Sequence, residues 1–132
     1  MPEIKIAIIG VGNCASSLLQ GVAKYADVGP NETVPGLMHP VLGEYGIGDI
    51  KVVAAFDVDA NKVGKDLSEA IFAEPNNTVK FQDVEETGVV VQRGMTHDGI
   101  GRYTSEIITK ADGGTDDVAA ILKEREVDVV IN

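Results

Sequence analysis

The sequence has few of the residues that would suit a membrane, an oxidising compartment or an aromatic core. It contains one cysteine, Cys14, no tryptophan and only 5% aromatic residues. A single thiol excludes an internal disulfide and favours a reducing compartment. No apolar stretch reaches the roughly 18 residues of a membrane-spanning helix, and the run at 4–9 is too short for a signal peptide. We therefore expect a cytoplasmic protein with an aliphatic core.

Basic residues are scarce as well. Lys and Arg number 11 against 21 Asp and Glu, which gives a formal net charge of −10. A chain this acidic repels phosphate backbones, so nucleic acid is not an expected partner. The 132 residues suit one domain, and a hydrophobic fraction of 44% is enough to bury a core. An anionic cofactor would therefore need a local group of hydrogen-bond donors, which the N–H groups at the start of a helix can supply.

Strand and helix patterns alternate along the chain. Main strands are predicted at 3–9, 50–56, 88–93 and 127–131, and a short strand at 78–82. Apolar residues at helical spacing follow the first two strands, at Leu18, Leu19, Val22 and Ala23 and at Val63, Leu67, Ala70 and Ile71. Further helices are predicted near 102–110 and after Thr115, a candidate N-cap. This order predicts an α/β fold with a Rossmann-type, doubly wound parallel sheet.

Residues 27–49 interrupt that pattern. They contain Pro30, Pro35 and Pro40 together with five glycines, and they are longer than the usual connection between a helix and a strand. We interpret them as an insertion between the first helix and the second strand. Because the chain ends on a buried strand pattern, at Asn132, we also expect the natural protein to continue into a catalytic domain absent from this sequence.

The run Gly10 to Ala15 is a GxGxxA motif between a buried strand and a helix. In a dinucleotide-binding loop, a glycine at position 10 permits the tight turn and Gly12 lets a pyrophosphate approach the backbone. Ala15 still allows the helix to pack closely on the strand. The alternative, an ordinary glycine turn, is less consistent with the strand before the motif and the helix after it.

An acidic residue that binds the ribose usually lies about 20 residues after this motif. Asp57 lies farther away, at the end of the second strand, and the insertion accounts for the difference. A carboxylate there disfavours a 2′-phosphate and therefore predicts NAD rather than NADP. The alternative is a solvated aspartate at a strand end. Asp59 is interpreted as a turn or cap residue. Asp66 is expected farther along the next helix, either as a solvated face residue or as a cofactor contact at the adenosine end.

Three other features leave alternatives open. Cys14 is either a reactive thiol at a helix start or, as we favour, a small packing residue. The loop 92–101 follows the third strand, so Arg93, Thr96 and Asp98 are either ligand contacts or parts of a structural glycine loop. His39 and His97 have no other metal-ligand types at a suitable spacing, so no metal site is predicted.

Four blocks in this order resemble myo-inositol-1-phosphate synthase, in its archaeal and actinobacterial branch. They are IAIIGVGNCASSLLQGV at 6–22, TVPGLMH at 33–39, VVAAFDVDANKVGKDLSEAIF at 52–72 and VVQRGMTHDGIG at 90–101. The resemblance covers this whole chain and the N-terminal third of a family member. It implies an isomerase of inositol and phospholipid biosynthesis that converts D-glucose 6-phosphate to 1D-myo-inositol 3-phosphate and reoxidises its NAD cofactor within each turnover.

The resemblance also implies roles for individual residues. The pyrophosphate would be lined by Gly10, Gly12, Asn13, Cys14, Ala15 and Ser16, and Asp57 would hold the adenosine ribose. Catalytic lysines are expected beyond residue 132, so residues 1–132 alone would be inactive. The full protein would be a homotetramer. Two alternatives stay open: an NAD-dependent dehydrogenase with a similar first domain, and a non-catalytic module that senses NAD.

Overall fold

The computed structural model describes residues 2–96 and 100–132. In chain order the helices and strands are β1 (Ile4–Ile9), α1 (Asn13–Tyr25), β2 (Val41–Leu42), β3 (Tyr45–Gly46), β4 (Ile50–Asp57), α2 (Leu67–Ala70), β5 (Gln92–Arg93), α3 (Val118–Glu124) and β6 (Val129–Ile131). Short 3₁₀ turns lie at Ile47–Asp49 and Thr104–Glu106.

Four strands form one parallel sheet in the order β5-β4-β1-β6. β4 therefore lies on one side of β1, and β6 lies on the other side. Ile9 pairs with Phe56, and Asp57 pairs with Arg93, so the carboxyl ends of β1, β4 and β5 meet at one edge. This topology confirms the predicted α/β fold with a doubly wound parallel sheet.

Side chains of alternate strand residues point to opposite faces of the sheet and pack into two apolar clusters. Ile8 and Ala55 face α1, where they pack with Val11, Ala15 and Leu19. Ala7, Ala54 and Phe56 face the other side, and the apolar face of α3 packs there through Val118, Ile121 and Leu122. Both faces of the central strands are covered, which explains why residues 6–9 of β1 and 52–56 of β4 are all apolar. No aromatic side chain other than Phe56 is fully buried among the described residues.

The predicted insertion contains a small antiparallel hairpin, formed by β2 and β3. A 3₁₀ turn follows it and leads directly into β4. Gly48 lies in that turn against the end of α1, where an added Cβ would lie 2.6 Å from the Ala26 carbonyl oxygen. Ile4 and Ile50, the first residues of β1 and β4, border a cavity against this hairpin. The insertion therefore packs at the amino-terminal edge of the sheet, opposite the edge where ligands bind in such folds.

The predicted strand at 78–82 is wrong, because side chains of α1 bind the backbone that a sheet would need. The Thr78 N–H donates to Asn13 Oδ1 at 3.0 Å. Farther along, the Gln20 side chain accepts from the Phe81 N–H at 2.8 Å and donates to the Val79 carbonyl at 3.4 Å. Gln20 is fully buried, so these bonds fix the segment against the helix.

Several other boundaries differ from the prediction. The second helix is a single turn, and Val63 lies before it. The third strand is reduced to β5, because residues 89–91 hydrogen-bond instead to the segment 64–67. The helix predicted near 102–110 is only a 3₁₀ turn. Asp117, not Thr115, caps α3, where its side chain accepts from the Ala120 N–H.

Within the ranges described, none of the helices combines the length and the apolar character needed to cross a membrane.

Candidate functional site

A crevice lies at the carboxyl edge of the parallel sheet. It encloses about 150 Å³ between the ends of β1 and β4, the loop after β5 and the residue after β6. Its lining includes Gly10 from the first loop, Asp57 from β4, Thr96 from the loop after β5, and Asn132. Four chain segments thus converge where the strand order reverses, which is where doubly wound sheets bind their ligands.

The glycine loop closes one side of this crevice. Gly10 has φ +95° and donates its N–H to the Phe56 carbonyl at 2.8 Å. A side chain at this position would be strained by the backbone, so the turn itself requires glycine. Gly12 differs, since its φ is −97° and an added Cβ would meet no described atom within 4 Å. Packing of the protein therefore does not explain a glycine at position 12.

The start of α1 presents unpaired donors to that open space. Gly12 is the N-cap and supplies no side-chain hydrogen bond. The Ser16 N–H donates to the Gly12 carbonyl at 3.0 Å, which is the first bond of the helix. Over the ranges described, the N–H groups of Asn13, Cys14 and Ala15 find no acceptor. Such a helix start attracts an anion by its free donors and its dipole.

Asp57 joins the end of β4 to this loop. Its Oδ2 accepts the Val11 N–H at 2.7 Å, and its Oδ1 accepts the N–H groups of Val58 and Asp59 at 2.7 and 2.9 Å. A carboxylate oxygen accepts about two hydrogen bonds. Oδ1 is therefore saturated, whereas Oδ2 keeps one free position for a hydroxyl donor.

The side chains of the helix start have different surroundings. Asn13 and Cys14 are exposed, and the Asn13 amide binds Asn77 and Thr78. Ala15 is buried in the core between helix and sheet. Ser16 is completely buried, and its hydroxyl accepts a bond from Gln20 at 3.2 Å. The loop therefore offers backbone N–H groups to a ligand, and the structure gives no support to a contact through the Ser16 hydroxyl.

Asp66 lies at the N-cap of α2, not on a face farther along a helix. Its carboxylate accepts from the Ser68 N–H at 2.9 Å and also from the Thr87 N–H at 3.1 Å. Burial raises the pKa of Asp66, but the hydrogen bonds from Ser68 and Thr87 outweigh it and hold the pKa below its ordinary value. These bonds give Asp66 a structural role at the start of α2.

Arg93 fixes the loop after β5. The side chain is buried, and its guanidinium donates to the Ala111 carbonyl, to the Gly94 carbonyl and to Thr96 Oγ1. Thr96 lines the crevice, so the bond from Arg93 holds one of the crevice-lining residues in position. Of the other residues singled out in this loop, Asp98 and His97 lie outside the described residues.

Sequence reasoning missed a buried polar group beneath the glycine loop. Asp59 and Lys62 are 1% and 4% exposed, and Asn76 connects them to the Val11 carbonyl. Asp59 does form the predicted turn, since its Oδ1 accepts the Asn61 N–H at 2.8 Å. Lys62 directly precedes the predicted second helix and Asn76 follows it, so no local pattern predicts that their side chains are in contact.

Comparison with known proteins gives several close relatives, although no family model matches the chain. The chain is 58% identical over 130 residues to the inositol-3-phosphate synthase of Mycolicibacterium smegmatis, covering 98% of this chain and 36% of that protein. Proteins of the same name from Mycobacterium tuberculosis and Corynebacterium glutamicum are 56% and 50% identical, with similar coverage. The chain thus spans about a third of the length of these relatives.

Two solved structures are similar to the chain in fold. A crystal structure of Ari2 superimposes with a TM-score of 0.73 at 29% identity, covering 97% of this chain and 36% of that one. A myo-inositol-1-phosphate synthase-related protein from Thermotoga maritima superimposes with a TM-score of 0.62 at 23% identity, covering 98% of this chain and 34% of that one; this second likeness is to the fold alone. The sequence comparison confirms the predicted resemblance. The chain is homologous to inositol-3-phosphate synthases along 98% of its own residues, and the matched region is about a third of their length.

Proposed function

We propose that this chain binds NAD at the carboxyl edge of its sheet, as part of an inositol-3-phosphate synthase. The observation that carries the proposal is the open space at Gly12 beside the N–H groups of Asn13, Cys14 and Ala15, which have no acceptor among the described residues. Free N–H groups at a helix start, next to a glycine with no Cβ, are the arrangement that binds a pyrophosphate in dinucleotide-binding folds. The net charge of −10 makes such a local donor set necessary for holding an anion.

In this proposal the pyrophosphate lies against the backbone of Gly12, Asn13, Cys14 and Ala15, and Gly10 supplies the turn. Asp57 accepts one hydroxyl of the adenosine ribose through the free position on Oδ2. A 2′-phosphate at that place would bring negative charge against the carboxylate, which favours NAD over NADP. We leave Ser16 and Asp66 out of the contacts, because their side chains already have partners within the protein.

When bound, NAD supplies a hydride acceptor that can return the hydride later in the same turnover. The chain's own contribution would be to bind and orient that cofactor through the glycine loop and Asp57, beside a crevice that Thr96 and Asn132 also line. Ile9 and Phe56 contribute to the apolar part of the crevice lining. Substrate chemistry and a homotetrameric assembly are proposed for the intact protein from its relatives' name and from the family resemblance.

The reaction is tested with the intact protein, D-glucose 6-phosphate and NAD. The proposal predicts that 1D-myo-inositol 3-phosphate forms while the total NADH does not increase, because the cofactor is regenerated. Net accumulation of NADH with a sugar phosphate would indicate a dehydrogenase instead. Binding of NAD without turnover of any sugar phosphate would indicate a sensing module, and either result would overturn the proposed reaction.

A further inference from the structure

A buried chain of polar contacts begins at Lys62 and ends on the glycine loop. Lys62 Nζ lies 3.9 Å from Asp59 Oδ2 and donates to Asn76 Oδ1 at 2.9 Å. Asn76 Nδ2 then donates to the Val11 carbonyl at 3.1 Å and to the Ile71 carbonyl at 3.0 Å. A lysine that is 4% exposed is unusual in any protein and calls for a specific reason.

The same network reaches Val11 from its other side. The Asp59 N–H donates to Asp57 Oδ1 at 2.9 Å, and Asp57 Oδ2 accepts the Val11 N–H at 2.7 Å. Both backbone groups of Val11 are therefore held, the N–H by Asp57 and the carbonyl by Asn76. Val11 lies between the two glycines of the motif, so these two bonds set the orientation of the peptide units beside Gly12.

The chemistry of Lys62 explains why a cation is buried here. An amide side chain has one accepting and one donating end, and either end can face a given neighbour. An ammonium group only donates, so Lys62 selects the orientation in which Asn76 Oδ1 faces the lysine. The donating end of Asn76 must then face the Val11 and Ile71 carbonyls, which only accept. Asp59 stabilises the lysine charge, and its Oδ2 has no hydrogen-bond partner within the described part of the chain.

We propose that Lys62 is a positioning residue for the pyrophosphate of the dinucleotide, acting through Asn76 on the Val11 carbonyl. This inference rests on the proposed NAD site. N–H groups that converge on one anion must be held within about 0.5 Å of the productive geometry, and Gly10 and Gly12 have no side chains to achieve this. Lys62 itself touches no ligand.

The test uses the intact protein and the double variant Asp59→Asn/Lys62→Met, which removes both charges together and leaves no unpaired buried ion. The Kd values of NAD and of adenosine are measured by titration or competition. The proposal predicts that the Kd of NAD rises about tenfold, as expected for the loss of one oriented donor, whereas the Kd of adenosine changes by less than about twofold. Hydrogen exchange of residues 10–16 should also become faster in the variant without ligand.

Two comparisons make the result specific. Lys65→Met removes an exposed lysine three positions farther along and should leave both Kd values unchanged. Asn76→Ala should reproduce the loss of NAD affinity, and adding it to the double variant should cause no further loss, because Lys62 acts through Asn76. Asn76→Ala also provides the measurement if the double variant fails to fold.

An unchanged Kd for NAD in both the double variant and Asn76→Ala would overturn the inference, as would equal losses for NAD and adenosine. Failure of the unmodified protein to bind NAD is a different result, because it would refute the proposed cofactor site itself.

Discussion

Asp57 and Val11 are joined by a hydrogen bond of 2.7 Å between the carboxylate and the backbone N–H. This bond connects the end of β4 to the glycine loop, so the residue expected to hold the ribose also holds the loop expected to hold the pyrophosphate. The bond makes the two halves of the site interdependent, and a substitution at Asp57 should affect both.

Replacing Asp57 by Asn tests that dependence. Asp57 accepts three N–H groups through its two oxygens, and an amide has only one oxygen, so Asp57→Asn leaves at least one N–H facing the donor end of the amide. We expect the free energy of unfolding to fall by about 1–3 kcal/mol and the Kd of NAD to rise at least tenfold. Denaturant unfolding and calorimetric titration measure the two effects. Asp27→Asn, at an exposed aspartate after α1, should change neither.

The role of Gly12 is tested by Gly12→Ala. Because an added Cβ meets no described atom within 4 Å, stability should change by less than about 1 kcal/mol. NAD affinity should fall strongly, since the methyl group would occupy the space proposed for the pyrophosphate. Gly21→Ala is the matched control: its Cβ is equally free, but it lies inside α1, where alanine should stabilise the helix by about 1 kcal/mol and leave the affinity unchanged. Normal NAD binding by Gly12→Ala would contradict the proposed pyrophosphate site at Gly12.

Asp66 gives a prediction about pH. Its folded-state pKa lies below the ordinary value of 3.8, so its contribution to stability is complete well above that value and is lost as the pH falls through the folded-state pKa. Asp66→Ala should cost about 0.5–2 kcal/mol at neutral pH, as the loss of an N-cap does. The difference from the unmodified protein should stay constant down to about pH 5 and shrink in more acidic solution.

Unfolding curves over a series of pH values provide that measurement. Asp83 serves as the control, because Lys80 also lowers the pKa of Asp83 but the group is fully exposed. Asp83→Ala should leave the unfolding midpoint nearly unchanged. A difference between Asp66→Ala and the unmodified protein that grows on acidification would show that Asp66 is not stabilised as an anion.

The buried pair of Asp59 and Lys62 predicts non-additive stability. Lys62→Met alone leaves the Asp59 carboxylate buried without a cation, which should destabilise the protein by about 3–5 kcal/mol. The double variant with Asp59→Asn removes both charges and should recover most of that loss. Thermal or denaturant unfolding of the single and double variants measures the coupling. Equal stability of the two variants would mean that the ion pair does not contribute to the fold.

The order of the sheet was predictable because buried parallel strands and the glycine motif leave strong local patterns. Residues 6–9 and 52–56 are apolar on both faces of their strands, and the chain order then determines a doubly wound arrangement. The motif residues Gly10 and Gly12 and the strand-end residue Asp57 also have local signals, and the structure places Gly10 and Asp57 in the crevice lining and Gly12 at the N-cap of α1.

The elements that could not be predicted depend on long-range side-chain bonds. Residues 78–82 alternate like a strand, but buried Gln20 binds their backbone from a helix about 60 positions earlier. Asp66 fits a helix face by spacing, yet Thr87 reaches its carboxylate from the following loop. Lys62 would be called solvent-exposed from its type alone, because the asparagine that binds it, Asn76, lies beyond α2. None of these partners is visible in a local pattern.

The central claim is that the carboxyl edge of this sheet binds NAD through the glycine loop and Asp57. The most direct test is calorimetric titration of the intact protein with NAD and, separately, with NADP. We expect one NAD site per chain and markedly weaker binding of NADP, because the 2′-phosphate would face the Asp57 carboxylate. No binding of NAD, or tighter binding of NADP than of NAD, would contradict it.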